Sequence, residues 1–442
     1  METVLLYILG FVVVLVGILV SVALHEVGHL VPAKLFNVRV GQYMVGFGKT
    51  LWSTRRGETE YGIKLLPLGG YISMAGMYPP AKGETESRDS STGFLETLMQ
   101  DARDQSAESI EPGHEDRVFY KLPVWKRIII MFGGPFMNLV IGVVLFAVVL
   151  SGFGVYQAST TIENVPQCVI PVSSDKQKCD EGAAPSPAAE AGILPGDRIV
   201  SIDGVDITEW DQITSLIRKS PGENLDIVLD RAGSTITVQA TPLVNEVSVL
   251  DEFGAPVLDD NKKPVTQKAG YLGISPTATR QVQPLSEVLP FVGNVISRVT
   301  QVIINLPKRL VDVANAAFGS EERDPNGPVG VVGVGRIAGE VTSNTETPVQ
   351  DRVSTLLGLL AGLNVSLFVF NLVPLLPLDG GHIAGALWEG IRRFFAKLFK
   401  RPDPGPIDIA KFLPLTLAVV FLLGGMSLLL LYADIFKPIT LP

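Results

Sequence analysis

The sequence predicts a multi-pass α-helical membrane protein with four transmembrane helices, a small membrane-associated β-sheet and an inserted extracytoplasmic α+β domain. Hydrophobic residues make up 47% of the chain and charged residues 18%, whereas soluble domains have about 25% charged residues. Its 442 residues also exceed the length of one ordinary domain. Four apolar runs reach the length of about 20 residues that a helix needs to cross a bilayer. These runs are 4–24, 128–155, 353–376 and 413–432.

Basic residues orient these runs, because cytoplasmic loops carry an excess of Lys and Arg. They follow the first run, precede the second and separate the third from the fourth: Lys34, Arg39, Lys49, Arg55, Arg56, Lys121, Lys126, Arg127, Arg392, Arg393, Lys397, Lys400 and Arg401. We therefore expect a cell-membrane protein whose chain ends and whose segment between the second and third runs face away from the cytoplasm. A net charge of -9, without a basic cluster suited to a phosphate backbone, argues against a nucleic-acid partner.

The motif HEVGH, residues 25–29, follows the first apolar run and indicates a metal site. Residues at i and i+4 share one face of a helix with Cβ atoms about 5–6 Å apart, so His25 and His29 can bind one Zn²⁺. Glu26 then lies beside the metal and can act as the general base for a metal-bound water. Ionisable groups in a membrane helix cost about 2.5–3.5 kcal/mol each, which disfavours a motif that arose by coincidence.

A second motif, NLVPLLPLDGGHI at residues 371–383, supplies a carboxylate at the end of the third run. Pro374 and Pro377 remove helix hydrogen bonds, so the helix should break where Asp379 emerges, at the membrane level of HEVGH. A carboxylate there can be the third zinc ligand and leave the fourth position open for water. The alternative is an Asp that ends a helix in an exposed turn. His382 is expected to point onward into the cytoplasmic loop.

The segments outside the spans are described by their turn and strand patterns. Residues 38–77 contain VGFG (45–48) and YGIKLLPLGGYISMAG (61–76) with the hydrophilic STRRGETE between them. This pattern predicts a hairpin or small sheet packed against the membrane core. In the acidic segment that follows, His114 is expected to be solvent-exposed rather than a ligand. Cys168 and Cys179 lie on the oxidising side, which favours a disulfide, with two free thiols as the alternative. Residues 285–318 have helical periodicity and are expected on the membrane surface or packed on the extracytoplasmic domain.

Several motifs in this order resemble the site-2 protease family of intramembrane zinc metalloproteases, in its bacterial branch that contains a PDZ domain. They are HEVGH, VGFG at 45–48, GGPFMN at 133–138, GPVGVVGVGRIAG at 327–339 and NLVPLLPLDGG. The stretch SPAAEAGILPGDRIVSIDGVDI, residues 186–207, resembles a PDZ domain of the bacterial protease-associated kind. This chain departs from the family pattern in its acidic insertion and in what reads as one PDZ domain where some members carry two.

The resemblance implies roles for residues and partners. His25, His29 and Asp379 would bind zinc and Glu26 would activate the water. Asn371 would hydrogen-bond the substrate backbone near the scissile bond. Asn138, in GGPFMN, is a second substrate-binding candidate, although a buried Asn can instead tie two spans together.

The same resemblance implies that the substrate is a single-span membrane protein in the lipid bilayer, commonly an anti-sigma factor. Peptide C-termini would bind the PDZ domain, and the edge of the 61–76 sheet could hold the unwound substrate as an added strand. Two other classes remain. A membrane-embedded PDZ scaffold would need no metal, and a metal transporter would place polar residues along a whole path rather than at one level.

The expected order of segments follows from these assignments. It is a first transmembrane helix with HEVGH (1–37), a membrane-associated β-sheet (38–78), an acidic cytoplasmic insertion (79–120), a second transmembrane helix (121–154), the PDZ domain (155–245), an extracytoplasmic connecting region (246–350), a third transmembrane helix with LDG (351–381), a cytoplasmic loop (382–411) and a fourth transmembrane helix (412–435).

Overall fold

The computed structural model describes residues 2–79, 106, 110, 113, 115–168, 185–249, 257, 265–319, 323 and 327–439. The chain divides into two compact units, which are described separately. A helical unit comprises Met1–Val149 and Pro284–Pro442, and a β unit comprises Leu150–Gln283. His114, expected to be exposed, lies outside the described residues, as does most of the acidic segment around it.

The helical unit begins with a long helix, a hairpin and a second long helix. Helix α1 spans Glu2–Leu35, so HEVGH lies inside a continuous helix rather than at its end. Strands β1 (Val40–Arg56) and β2 (Thr59–Met74) form an antiparallel pair in the segment for which a small sheet is predicted. Helix α2 spans Val124–Ala147 and packs against α1.

The hairpin is folded back on itself. Tyr43 of β1 pairs with Tyr61 and also with Ile72, so the first part of β1 lies between the two halves of β2. Such an arrangement needs a bend in β2, and Gly69 lies in that strand with a φ of 110°, which a residue with a side chain rarely adopts. The first half of β2 also pairs with residues 50–56 of β1, so the outer strands of the sheet are the second half of β1 and the second half of β2.

The β unit consists of two sheets and two helices. Its elements in chain order are β3 (Val155–Asn164), α3 (Pro187–Glu190), β4 (Arg198–Ile202), β5 (Val205–Asp206), α4 (Trp210–Lys219), β6 (Leu225–Arg231), β7 (Ser234–Ala240), β8 (Leu243–Ser248), β9 (Thr266–Tyr271) and β10 (Ser275–Gln281). One sheet has the order β10-β3-β4-β6-β7, with β5 paired to β4, and the other pairs β8 with β9.

The core of the β unit is formed by alternate residues of its strands and one face of α4. Ile199, Ile202, Ile213, Ile227 and Leu229 are fully buried there. Alternation puts every second strand residue on one face, so the inward set forms a continuous apolar layer. Separately, Cys168 is disulfide-bonded, and Cys179, the other cysteine of the sequence, lies outside the described residues.

Six further helices complete the helical unit. They are α5 (Val288–Ile304), α6 (Leu306–Phe318), α7 (Val331–Ser343), α8 (Val349–Asn371), α9 (Asp379–Leu398) and α10 (Leu413–Phe436). Helix α7 packs closely on the first half of α1, because Gly335 lies against Phe11 and Gly339 against Tyr7. Asp434 of α10 accepts hydrogen bonds from the Gly333 amide and from Arg323, at 2.8 Å each.

Five helices of the described residues are long and apolar enough to cross a membrane, whereas the sequence predicts four. The additional segment is Leu285–Ile304. It packs against α2 and α8 within the helical unit, where the rings of Phe146 and Phe291 lie 5.0 Å apart. The multi-pass character and the presence of β-sheets agree with the prediction, but the number of four spans is not confirmed.

Candidate metal centre

Three side chains that the sequence singles out converge between α1 and α9. The Nε2 atoms of His25 and His29 lie 3.2 Å apart. The Asp379 carboxylate places Oδ2 3.3 Å from His25 Nε2 and Oδ1 3.4 Å from His29 Nε2. Among the described residues, these three form the group whose donor atoms all lie within 4.8 Å of one another.

The separations of these donor atoms fit a zinc ion. Zinc binds nitrogen and oxygen at about 2.0–2.1 Å in a tetrahedron, and the ligand atoms of such a tetrahedron lie roughly 3.3 Å apart. The three measured separations, 3.2–3.4 Å, therefore match one face of the tetrahedron and leave the fourth position without a protein ligand. Two imidazoles and one carboxylate are also ligand types that zinc takes in catalytic sites.

Helix α2 contacts both imidazoles at Nδ1, on the side of each ring away from the other donor atoms. The Nδ1 atom of His29 donates to the carbonyl oxygen of Ile130 over 2.8 Å. The Nδ1 atom of His25 lies 3.1 Å from the side-chain amide of Asn138, which is 1% exposed. A histidine that binds metal through Nε2 carries its proton on Nδ1, so it pairs with Asn138 when the amide turns Oδ1 toward the ring. Asn138 therefore contacts a candidate ligand, in addition to tying α2 to α1.

Three glycines allow α1 and α2 to meet at the centre. Gly28 and Gly133 face each other, and a Cβ atom on either would overlap the carbonyl oxygen of the other. A Cβ atom on Gly134 would overlap the His29 ring and lie 2.7 Å from His25 Nε2. Small residues let membrane helices approach closely, and here they bring the α2 backbone against the imidazoles.

The break before α9 positions the carboxylate. Helix α8 ends at Asn371 and α9 begins at Asp379, so the chain between them is irregular, as the two prolines predict. A Cβ atom on Gly380 would overlap the carbonyls of Leu372 and Val373. The glycine after Asp379 therefore lets the broken segment fold tightly over the start of α9.

The other predicted residues occupy different positions. Asn371 is half-buried at the end of α8, and its side chain makes no hydrogen bond to the described residues. His382 lies one turn after Asp379 on α9 and does not belong to the three-donor group. Glu26 is buried on α1, close enough to both histidines and Asp379 to interact with their charges.

The hairpin covers Glu26 from one side. Gly70 of β2 is so close that a Cβ atom there would lie 3.0 Å from Glu26 Cγ. Tyr43 of β1 donates to the Ala23 carbonyl over 2.7 Å and so fastens the sheet to α1. Burial, with a contribution from the Glu26 charge, raises the pKa of Tyr43 to about 12 and keeps the phenol a donor. The catalytic candidate is therefore enclosed between a helix and a sheet.

Sequence reasoning did not identify the glycines or the Ile130 carbonyl as parts of the centre. The only signal was GGP in the second span together with the glycine inside HEVGH, which is the pattern of small residues at a helix crossing. A backbone carbonyl has no sequence signal, because every residue has one.

Comparison with known proteins shows the family of this chain. The model of Peptidase family M50 matches residues 13–401. Zinc metalloprotease Rip1 of Mycobacterium bovis is 32% identical over 449 residues, which cover 99% of each chain. Rip1 of Mycolicibacterium smegmatis is 33% identical over 98% of each chain. Zinc metalloprotease RasP of Shouchella clausii is 28% identical over 84% of this chain and 88% of its own. With a match over most of its length and relatives above 30% identity, the chain belongs to peptidase family M50, the site-2 protease family that its motifs resemble.

Proposed function

We propose that this protein is an intramembrane zinc metalloprotease that hydrolyses a peptide bond in a single-span membrane protein, such as an anti-sigma factor. The observation that carries the proposal is the convergence of His25, His29 and Asp379 at the spacing of zinc ligands, with Glu26 beside them. The names of the relatives support the choice of metal and activity.

In this mechanism His25, His29 and Asp379 would hold the metal, with two imidazoles and a carboxylate as the donor groups. When bound, zinc supplies a Lewis acid that polarises the scissile carbonyl and lowers the pKa of water. Glu26 accepts a proton from the attacking water and returns it to the amide nitrogen that leaves. The hydrogen bonds at Nδ1 of each histidine keep the rings facing the centre throughout.

The substrate must present an extended peptide, because a helix shields its own peptide bonds. The outer strands of the hairpin are edges to which such a segment can be added by main-chain hydrogen bonds. Gly70 of β2 lies against Glu26, so a strand added on that side would pass near the catalytic carboxylate. Asn371, at the break before Asp379, would hold the backbone on the other side of the scissile bond.

We also propose that the β unit is the PDZ domain that the sequence resembles, located outside the cytoplasm, with the metal centre near the cytoplasmic face. Its antiparallel sheet and the amphipathic helix α4 are consistent with a domain that binds peptide C-termini by strand addition. Such a domain would restrict the enzyme to substrates with a suitable exposed end.

Two variants in detergent or nanodiscs test the function. Glu26→Gln should retain zinc and lose cleavage of a single-span substrate by at least about 100-fold, since an amide cannot accept the proton. Asp379→Ala should lose both zinc and cleavage. Metal content and proteolysis are measured on the same sample, with Glu2→Gln as the matched control at the other end of α1.

Cleavage by zinc-loaded Glu26→Gln would refute the role of that residue. A scaffold or a transporter predicts no zinc-dependent cleavage even in the wild-type protein, which would refute the function as a whole.

A further inference from the structure

Helix α9 exposes a wide apolar surface. Seven large apolar side chains on the helix and at its end are 45–65% exposed: Leu387, Trp388, Ile391, Phe394, Phe395, Leu398 and Phe399. At about 100° per residue they cover an arc of roughly 140°. The rings of Phe394 and Phe395 lie 5.6 Å apart, and those of Phe395 and Phe399 lie 6.3 Å apart. We call these seven residues the apolar arc.

The opposite side of α9 faces the protein and carries a charge. Glu389 is 1% exposed, and its carboxylate accepts hydrogen bonds from Arg127 at 2.5 Å and from the Ile407 amide at 3.1 Å. A helix of a water-soluble surface does the reverse, with apolar residues inside and charges outside. The apolar arc therefore faces away from the protein core.

Basic side chains border the apolar arc on both sides. Lys397 lies beyond one border, and Lys400 and Arg401 follow just after the helix ends. Arg392 lies along the other and lines a cleft with Trp388, Lys411 and Phe412, and Asp408 is also in that cleft. Aromatic residues next to Lys and Arg are typical of a helix at the boundary between lipid headgroups and acyl chains.

We propose that the apolar arc and its basic borders bind the anionic phospholipid surface of the cytoplasmic leaflet. The proposal rests on the membrane orientation proposed above and goes beyond the protease function. Charge complementarity favours this occupant, because the basic borders attract anionic headgroups while the aromatic rings enter the boundary region. A second copy of the chain is disfavoured, since a two-fold interface would bring one basic border against another.

Spin labelling of the full chain in nanodiscs tests the proposal. The described residues contain no free cysteine, so a label reacts with an introduced thiol. Phe395→Cys carries the label on the apolar arc, and Asp206→Cys, exposed in the β unit, is the control. Accessibility to oxygen relative to a water-soluble nickel complex reports the depth of each label in nanodiscs of phosphatidylcholine with increasing phosphatidylglycerol.

We expect the label at residue 395 to become more accessible to oxygen as phosphatidylglycerol increases, while the control stays in water. Each basic residue near an anionic surface contributes about a fivefold change in affinity. The depth of the label should change with the phosphatidylglycerol fraction in a transition that has a midpoint. Replacing Lys397, Lys400 and Arg401 by Gln should therefore raise the phosphatidylglycerol fraction at that midpoint severalfold or abolish the transition. Glycerol phosphate in solution, added to neutral nanodiscs, should not change the accessibility of the label at residue 395 to oxygen.

Three results would overturn the proposal. They are a label depth that does not depend on phosphatidylglycerol, a dependence that survives in the triple Gln variant, and spin–spin broadening that reveals a second copy. The elution volume of each variant in size-exclusion chromatography verifies folding. The readout needs no cleavage, so an inactive wild-type protein would refute the protease function without affecting this test.

Discussion

At the scale of single residues, the two histidines are fixed at both ring nitrogens. Nε2 of each ring faces the other donors, and Nδ1 is held by α2, through the Ile130 carbonyl for His29 and through Asn138 for His25. Partners of this kind set the tautomer and the orientation of a ligand. The metal centre is therefore an assembly of α1, α2 and α9 rather than of the two motifs alone.

Asn138→Ala is expected to weaken zinc binding about 10–100-fold, because loss of a partner behind a histidine ligand has that effect in other metal sites. Competition with a chelator of known affinity measures the zinc affinity of the variant and of the wild-type protein. If Asn138 instead binds substrate, as the family resemblance also allows, the zinc affinity would stay unchanged and only KM would rise. The two roles are thus separated by one measurement each.

Gly134→Ala is expected to remove most of the zinc, since the new methyl group would occupy the space of the imidazole rings. The loss of affinity should be at least as large as the about 100-fold upper value for a lost ligand partner. Gly362→Ala in α8 is the matched control, because a Cβ atom there has open space. Metal analysis of both purified variants tests this prediction. A Gly134→Ala protein that still contains its full zinc would show that the close contact between α2 and the imidazole rings is not required.

At the scale of elements, a buried ion pair holds α9 against the start of α2. Arg127 is 4% exposed and Glu389 1%, and their closest atoms lie 2.5 Å apart. Removing one partner of such a pair leaves an uncompensated buried charge, whereas replacing both by apolar residues is often neutral. Because α9 begins at Asp379, this pair also positions a candidate zinc ligand.

Glu389→Ala is expected to destabilise the helical unit by about 3–5 kcal/mol. The double variant Arg127→Met with Glu389→Met should recover most of that stability. Thermal unfolding in detergent, followed by thiol reactivity of a buried cysteine probe, gives both values. If the single and double variants were equally unstable, the charge balance would not be what holds the two helices together.

At the scale of the whole molecule, the donor atoms all belong to the helical unit. The chain enters and leaves the β unit at neighbouring points, because the Gln283 amide donates to the Leu150 carbonyl over 2.9 Å and Val155 pairs with Gln281. A short connection can therefore replace the β unit without stretching the chain.

Replacing residues 155–281 by a short glycine-serine linker should leave the zinc content equal to that of the full chain. The range of substrates cleaved should change, because the proposed PDZ domain is absent. The same excision combined with Asp379→Ala is the control that should lose zinc. A well-folded excised protein without metal would mean that the β unit is needed to build the centre.

Predictions that rest on residues close together in the chain agree with the structure better than those that depend on packing between distant segments. The spacing of HEVGH and the prolines before Asp379 act within one or two turns, and the helix and the helix break occur where they are predicted. The number of spans differs between the sequence prediction and the structure. The segment Leu285–Ile304 is long and apolar enough to span a membrane, but the residues next to it in the chain carry scattered charges. Length and composition alone do not separate a spanning helix from one that packs along others.

The sequence by itself determined which residues have the chemistry: two histidines on one helix face, a carboxylate at a helix break and a base beside them. These follow from helical periodicity and from the missing amide of proline, which are properties of the local chain. Only the tertiary structure decided that Asn138 meets His25, that Gly134 makes room for the rings and that α9 turns its apolar side outward. Those contacts join residues far apart in the chain, and helix packing, which no local pattern encodes, brings them together.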